Sequence, residues 1–224
     1  ELISFFSKTH GVNEQWGTQF VFEGDTYLPL SEKSKLKQTA PDNCKVFSQS
    51  LQPCFKLIIV GAEHDAAQLS IMASSLGWET SVVISPSNPQ NLKDFPGASE
   101  LVRSNGDQFD LSLIDKETAV ILMSHSYVRD LEFLFALRET RPAYIGLLGP
   151  SNRRERMLND LIEKYPSVDE SLFDFVFGPA GLNIGAETPQ EIALSICSEI
   201  LALIRDQEPK SLKDKVGSIH LKIK

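Results

Sequence analysis

From Phe55 onward, short apolar runs alternate with longer stretches of helical period, the sequence form of repeated βαβ units. Leu57 to Val60 (LIIV) predicts a buried strand, and a helix over about His64 to Leu76 follows, closed by Gly77. Thr80 to Ser85 (TSVVIS) predicts a second strand and Glu100 to Arg103 a short third. Thr118 to Ser124 (TAVILMS) is the clearest buried strand after the first, with its helix over about Tyr127 to Glu139. Pro142 to Gly149 gives another strand and a glycine turn, and a basic helix over about Asn152 to Tyr165 comes next. The final helix opens on Thr188 as N-cap, with Pro189 at its first position and Glu191 placed for a capping box. Its Ile192, Ile196, Ile200 and Leu203 recur at helical spacing and are expected to pack on the sheet.

This order predicts an α/β fold over residues 55–205: a doubly wound, mostly parallel open sheet with helices on both faces. Residues 1–54 read as a small N-terminal appendage. In it ELISFFSK suggests a short helix, TQFVFEGDTYLPL two short strands around a Gly-Asp turn, and SEKSKLKQTAPDN a polar linker. Residues 206–224 form a polar tail in which SIHLKIK suits a late edge strand. The first residue is Glu1 and not Met, which fits a piece of a longer protein.

Composition narrows the function classes. At 224 residues, with 42% hydrophobic and 23% charged residues, the chain can bury a substantial core. A net charge of −8 gives no field that attracts a polyanion, so neither nucleic acid nor a membrane is an expected partner. No apolar run approaches the roughly 18 residues of a spanning helix, and the first ten residues lack the order of a signal peptide. A cytoplasmic location is expected. Cys44, Cys54 and Cys197 are widely spaced, with no CxxC pair, and read as idle or buried thiols; no metal site is expected.

Ligands of such sheets sit at the carboxyl ends of the strands. The candidate site therefore collects the turns Gly61 to Asp65, Ser85 to Asn88, Ser124 to Tyr127 and Gly146 to Arg153. The first turn resembles the dinucleotide pattern G-x-G-x-x-G/A, with Gly61 and Ala66 at its first and third places. Glu63 takes the second, adding bulk and negative charge where a helix N-terminus would receive phosphate. His125 directly follows a buried strand and should project into the strand-end cleft, which makes it the leading candidate for acid–base chemistry. His64 either caps and packs or acts chemically, and Asp130 either stabilises its helix or acts. Arg153, Arg154 and Arg156 follow Gly149 at a helix start and read as an anion site or as a solvated basic face. In the loop GPAGLNIGAETP, Gly181 and Gly185 serve conformation, and Glu187 and Glu191 could bind a cation or base, although capping accounts for Glu191.

YIGLLGPSNRRERML (Tyr144 to Leu158) and GPAGLNIGAETPQEIALSICSEI (Gly178 to Ile200), with LIIVGAEHDAAQLS and MSHSYVRD, resemble the xanthine dehydrogenase accessory protein family, the XdhC/CoxI-like proteins. The resemblance covers roughly Phe55 to Arg205. It implies a Rossmann-like domain that holds molybdenum cofactor transiently, supports its sulfuration and helps insert it into a xanthine or carbon monoxide dehydrogenase type apo-enzyme. The role implied is that of a cofactor chaperone more than a catalyst, and a homodimer is expected. Cofactor-binding positions implied are Gly61, Ala62, Glu63, His64, Ser85, His125, Gly149, Arg153, Gly181 and Asn183. The chain departs from the family pattern at Glu63 for glycine, Ser85 and Ser87 for Asp and Arg, Pro150 for Ser, and Asn183 for Asp. The family's Gly-Cys-Gly-Gly and Gly-Ser-x-Pro-Arg stretches do not occur, so neither Cys44 nor Cys54 is assigned as a ligand. The departures weigh against NAD(P). Two alternatives stay open: an NAD(P)-dependent oxidoreductase, although Tyr144 has no lysine four residues on, and a degenerate domain kept for dimerisation or docking.

Overall fold

The computed structural model describes residues 16–23, 26–29, 45–51 and 54–215. The expected helix at ELISFFSK, the polar linker at 31–43, the SIHLKIK strand, His10, His220 and Cys44 lie outside the described residues. The chain divides into two compact units, Glu1–Cys54 and Phe55–Lys224.

In the first unit, β1 (Trp16–Glu23) and β2 (Thr26–Pro29) are the two strands expected around Gly24 and Asp25, paired antiparallel with Glu23 opposite Thr26. A third strand, β3 (Lys45–Leu51), lies antiparallel along the other edge of β1, where the sequence pattern suggests none.

The second unit is built on β4 (Lys56–Val60), β5 (Glu79–Ile84), β6 (Glu100–Arg103), β7 (Thr118–Leu122), β8 (Tyr144–Leu147) and β9 (Val176–Phe177). Their order is β6-β5-β4-β7-β8-β9 and all pairs are parallel. Chain direction across the sheet therefore reverses between β4 and β7, which makes their carboxyl ends the switch point. Among the described residues four helices cover the sheet: α1 (His64–Ser75), α2 (Tyr127–Leu137), α3 (Ser151–Lys164) and α4 (Pro189–Ile204). The expected α/β, doubly wound Rossmann-like architecture is what forms.

The unbroken apolar runs follow from burial on both faces. Leu57 and Ile59 of β4 join Ala119 and Ile121 of β7 in one core with α1 and α4 residues Leu69, Ala73, Ile196 and Ile200. Ile58 and Val60, with Val120 and Leu122, enter a second core with Phe133 and Leu134 of α2 and Met157 and Leu161 of α3. Successive strand residues thus feed opposite layers.

Helix α1 ends in a Schellman motif, in which Trp78 N donates to Ala73 O (3.1 Å) and Gly77 N to Ser74 O (2.9 Å). Trp78 then packs on Phe55 at 5.1 Å between ring centroids. Helix α4 carries the expected capping box, both bonds between Thr188 and Glu191 being made. One expectation fails on it: Leu203 is 41% exposed, and Ile204 packs on the core in its place. Four residues on from Ile200 stays on the buried face, whereas three falls short of a full turn and lands at its edge. The β5–β6 and β6–β7 connections hold only short 3-10 turns, Leu92–Asp94, Gly106–Gln108 and Leu111–Leu113.

Candidate functional site

The switch point is made by two turns that nearly touch. Met123 N donates to Val60 O (2.9 Å), and a Cβ on Gly61 would stand 2.6 Å from Met123 O, so only glycine lets β4 leave the sheet here. Glu63 is the N-cap of α1, exposed and extended (φ −81°), and its side chain makes no capping bond. That backbone needs no glycine, so the cost of Glu63 is one of charge and bulk toward a ligand, not of folding. His64, at the first position of α1, is exposed.

His125 stands at the end of β7 with φ +58°, a left-handed conformation that costs a non-glycine residue of order 1 kcal/mol. Its Nε2 lies 3.5 Å from Asp65 Oδ2, and the imidazole is about half exposed. The pair thus spans the switch point, one group from each turn, and the carboxylate orients the ring while its other edge faces outward. Asp65 lies within the first turn singled out from sequence, yet nothing local to either turn announces its partnership with His125. The signal for it is the adjacency of β4 and β7, which brings those two turns side by side.

Asp130 settles into a different role from either expected. It is buried, accepts from Ser124 N (3.1 Å) and Ser124 Oγ (2.5 Å), and takes the Arg153 guanidinium on its other oxygen at 2.7 Å. The β7 turn, α2 and α3 are tied together at this carboxylate. Arg153 Nε is buried without a hydrogen-bond partner. Arg154 donates from Nε to Val176 O (3.0 Å), and the Arg156 guanidinium lies over the Tyr127 ring at 4.6 Å. Arg153 and Arg154 are therefore engaged inside the fold, whereas Arg156 is exposed. Helix α3 begins on Pro150, which offers no side-chain cap, beside Gly149 at φ +118°. Tyr127 donates to Asp160 (2.6 Å); burial and that carboxylate push its phenol up to about 12.

On the β5 side, Ser85 and Ser87 hydroxyls meet at 3.1 Å. Gln90 reaches back to donate to Ala62 O (2.9 Å), so the segment after β5 folds over the flank of the first turn.

The loop Gly178 to Glu187 makes the third part of the site. Glu199, on α4, accepts from Gly181 N (2.8 Å) and from the buried Tyr144 hydroxyl, whose ring stacks on Phe177 at 4.5 Å. Burial and the Glu199 carboxylate hold the Tyr144 phenol far above its ordinary range. Ser195, one turn before Glu199, donates to Leu182 O (2.6 Å). Gly181 has φ +109° and a Cβ there would run into Ser195 Oγ, so this glycine is required. A cleft of about 440 Å³ opens beside the loop, with Leu148, Ala180, Leu182, Asn183, Ile184 and Ile192 among its walls. Ser195 and Glu199 stand at i, i+4 on α4, polar positions that the sequence marks without naming their partners. Cys197 is buried and burial pushes its thiol up to about 12, in keeping with an inert thiol.

Among the described residues there is no group of three or more His, Cys, Asp or Glu able to hold a metal ion, and no helix long and apolar enough to cross a membrane. The structure thus brings Gly61 to His64 and His125 together at the switch point, and sets Gly181 and Asn183 apart at the β8–α4 side.

Residues 57–200 match the family model described as the XdhC Rossmann domain. The chain belongs to the XdhC family. This XdhC-type chain is 32% identical over 160 residues to a probable xanthine dehydrogenase subunit of Bacillus subtilis, covering 70% of itself and 45% of that protein. It is 27% identical over 169 residues to the molybdenum cofactor insertion chaperone PaoD of Escherichia coli, covering 75% of itself and 46% of PaoD. It therefore spans less than half the length of either relative. A crystal structure described as a xanthine dehydrogenase from Bacillus halodurans aligns with a TM-score of 0.66 and 26% identity, over 86% of this chain and 61% of the other.

Proposed function

We propose that this chain serves the maturation of a molybdenum-cofactor enzyme of the xanthine or carbon monoxide dehydrogenase type, holding the cofactor as cargo and presenting it to the apo-enzyme for sulfuration and insertion. The observation that carries this reading is the match of residues 57–200 to the XdhC Rossmann domain, together with the similarity to a chaperone named for cofactor insertion. The site geometry supports a holding role. Arg153 and Arg154 are committed to internal partners, and Glu63 sets a carboxylate at the helix end that a pyrophosphate would need. A cytoplasmic homodimer is part of the same proposal.

The test immobilises the chain and offers it an apo molybdenum hydroxylase with and without molybdenum cofactor. Retention of the apo-enzyme and faster recovery of its activity are expected; the absence of both sinks the proposal. The alternative of an NAD(P)-dependent oxidoreductase is tested alongside by melting. A cofactor present at 100 times its Kd stabilises by about 2.7 kcal/mol, a rise of several degrees for a domain of this size. Millimolar NAD and NADP are expected to leave the Tm unmoved.

A further inference from the structure

The groove by the carboxyl ends of α2 and α3 is filled by its own contacts, Arg138 lying over Tyr165 at 4.4 Å and Lys164 over Phe135 at 4.4 Å. Among the described residues, the exposed apolar side chains of α1, α2 and α3 stand singly: Ile71, Val128 and Ile162 each lack a second one three, four or seven residues away on the same helix. Helix α4 differs. Its Leu194 and Leu201, 47% and 37% exposed, are one heptad apart, and with Glu191, Ser198 and Arg205 they recur at steps of three and four residues. That spacing lays them in one stripe along the helix, about 21 Å from Glu191 to Arg205 at a rise of 1.5 Å per residue. The stripe runs opposite the side on which Ala193, Ile196 and Ile200 are buried.

We propose that this stripe is the contact between two copies of the chain, α4 lying antiparallel on α4 about a twofold axis at Ser198. The proposal rests on the homodimer of the reading above and gives it a surface. The order of the side chains carries it. From the amino end the stripe reads acidic, apolar, small, apolar, basic, and such an order is complementary to itself only when reversed. Laid antiparallel, Leu194 meets Leu201 of the second copy and Arg205 meets its Glu191, each pair occurring twice by symmetry. A parallel copy would set carboxylate on carboxylate and guanidinium on guanidinium. A partner of another sequence would have to carry the same order in reverse.

The charges at the two ends are available. Glu191 takes both of its backbone bonds, from Glu187 N and Thr188 N (each 2.9 Å), on Oε2, and Oε1 is open to a cation. Those donors hold its carboxyl below the usual range, so it is ionised. Glu187, exposed just before the N-cap, adds a second carboxylate at the same end, and Arg205 is exposed at the C-cap. Capping accounts for Glu191 and the helix dipole suits Arg205, but neither accounts for two leucines held toward water between them. The half-buried Ser198 is small enough for two helices to approach to about 8–10 Å. One helix from each copy makes an interface below the roughly 1,200 Å² of standard complexes, so a dimer that dissociates in the micromolar range is expected.

The experiment is sedimentation equilibrium of the whole chain over about 1–100 µM, where an interface of this size comes apart. A monomer–dimer equilibrium is expected. Leu201→Glu, at an exposed position, puts a carboxylate into the apolar centre of both copies and should raise the dissociation constant by about 100-fold or more. Arg205→Glu and the double variant Glu187→Arg/Glu191→Arg should each be monomeric alone and form a one-to-one heterodimer when mixed, because the mixture restores opposite charges at both ends. Circular dichroism and melting check that each variant is folded, the double variant having given up its capping box. A monomeric wild type at about 100 µM, a dimer that Leu201→Glu leaves intact, or no pairing in the mixture overturns the interface. A chain that is monomeric, or dimeric through another face, and still retains the apo-enzyme refutes this surface and leaves the maturation role standing.

Discussion

Replacing Asp130 by alanine isolates the contact that holds three elements of the site together. The carboxylate side chain is 2% exposed and its partner Arg153 21%, so the pair is charged, nearly dry and linked at 2.7 Å. Removing one partner of a buried pair costs about 3–5 kcal/mol because the other charge is stranded. Two effects adjust that range. Arg153 keeps some exposure and can turn toward water, which lowers the cost, while Ser124 loses its acceptor for both N–H and hydroxyl, which restores part of it. A loss of about 3 kcal/mol is expected, equal to a Tm drop of about 6–12 °C at this size. The assay is urea unfolding of the wild type, Asp130→Ala, Arg153→Met and the double variant, with unchanged m-values as the condition for comparison. Because each single change strands a charge that the other change removes, the double variant should be little worse than the worse single one, with a coupling of about 1.5–3 kcal/mol. A loss below about 1 kcal/mol for Asp130→Ala, or additivity within about 0.5 kcal/mol, would refute the assignment of Arg153 to the fold and return it to the ligand.

Gly61→Ala should destabilise by about 1–3 kcal/mol, since its Cβ would stand 2.6 Å from the Met123 carbonyl; a Tm within a degree of wild type would contradict that close approach. At His125, φ +58° makes glycine the relaxed choice: His125→Gly should be neutral or stabilising by up to about 1 kcal/mol, whereas the β-branched His125→Val should cost about 2 kcal/mol, both read by thermal unfolding. Tyr127 titrates at about 12 in the folded chain against about 10 unfolded, so its contribution to stability is whole below pH 10 and is lost as pH rises to 12. Tyr127→Phe should flatten that part of the stability curve, and a phenolate absorbance titration that shows Tyr127 ionising at 10 would remove the basis for it. Cys197, with its thiol raised to about 12 by burial, should resist a disulfide reagent at pH 8 until the chain unfolds, measured in a Cys44→Ser/Cys54→Ser background.

The sheet and its helices are legible because the central strands β4 and β7 are apolar on both faces and the helices show their own period, two signals that need no knowledge of contacts. Strand β9, two residues long, carries no period at all, and β3, with Lys, Ser and Gln among its seven residues, lacks the apolar run by which the others are found. At the site, sequence reasoning finds glycines and the His125 turn, since turn chemistry is local. It places Arg153 by type and position only, and its true partner Asp130 lies 23 residues away on another helix. It likewise does not name the partners of Glu199, which accepts from Tyr144, 55 residues away, and from Gly181 N. Contacts of that kind belong to tertiary packing, which propensity does not encode.

The placement of charge along the carboxyl edge argues for a division of labour. At the β4–β7 switch point the side chains that reach outward are Glu63, His64 and the His125–Asp65 pair, a polar cluster in which the imidazole is both oriented and accessible. At the β8–α4 end the cleft is uncharged and its loop braced from behind. Between the two, Arg153 and Arg154 are drawn inward by Asp130 and the Val176 carbonyl, while Arg156 lies exposed over the Tyr127 ring. An extended anionic cofactor such as a dinucleotide would have to cross that middle ground with the exposed Arg156 to meet it, Arg153 and Arg154 being held by partners of the fold.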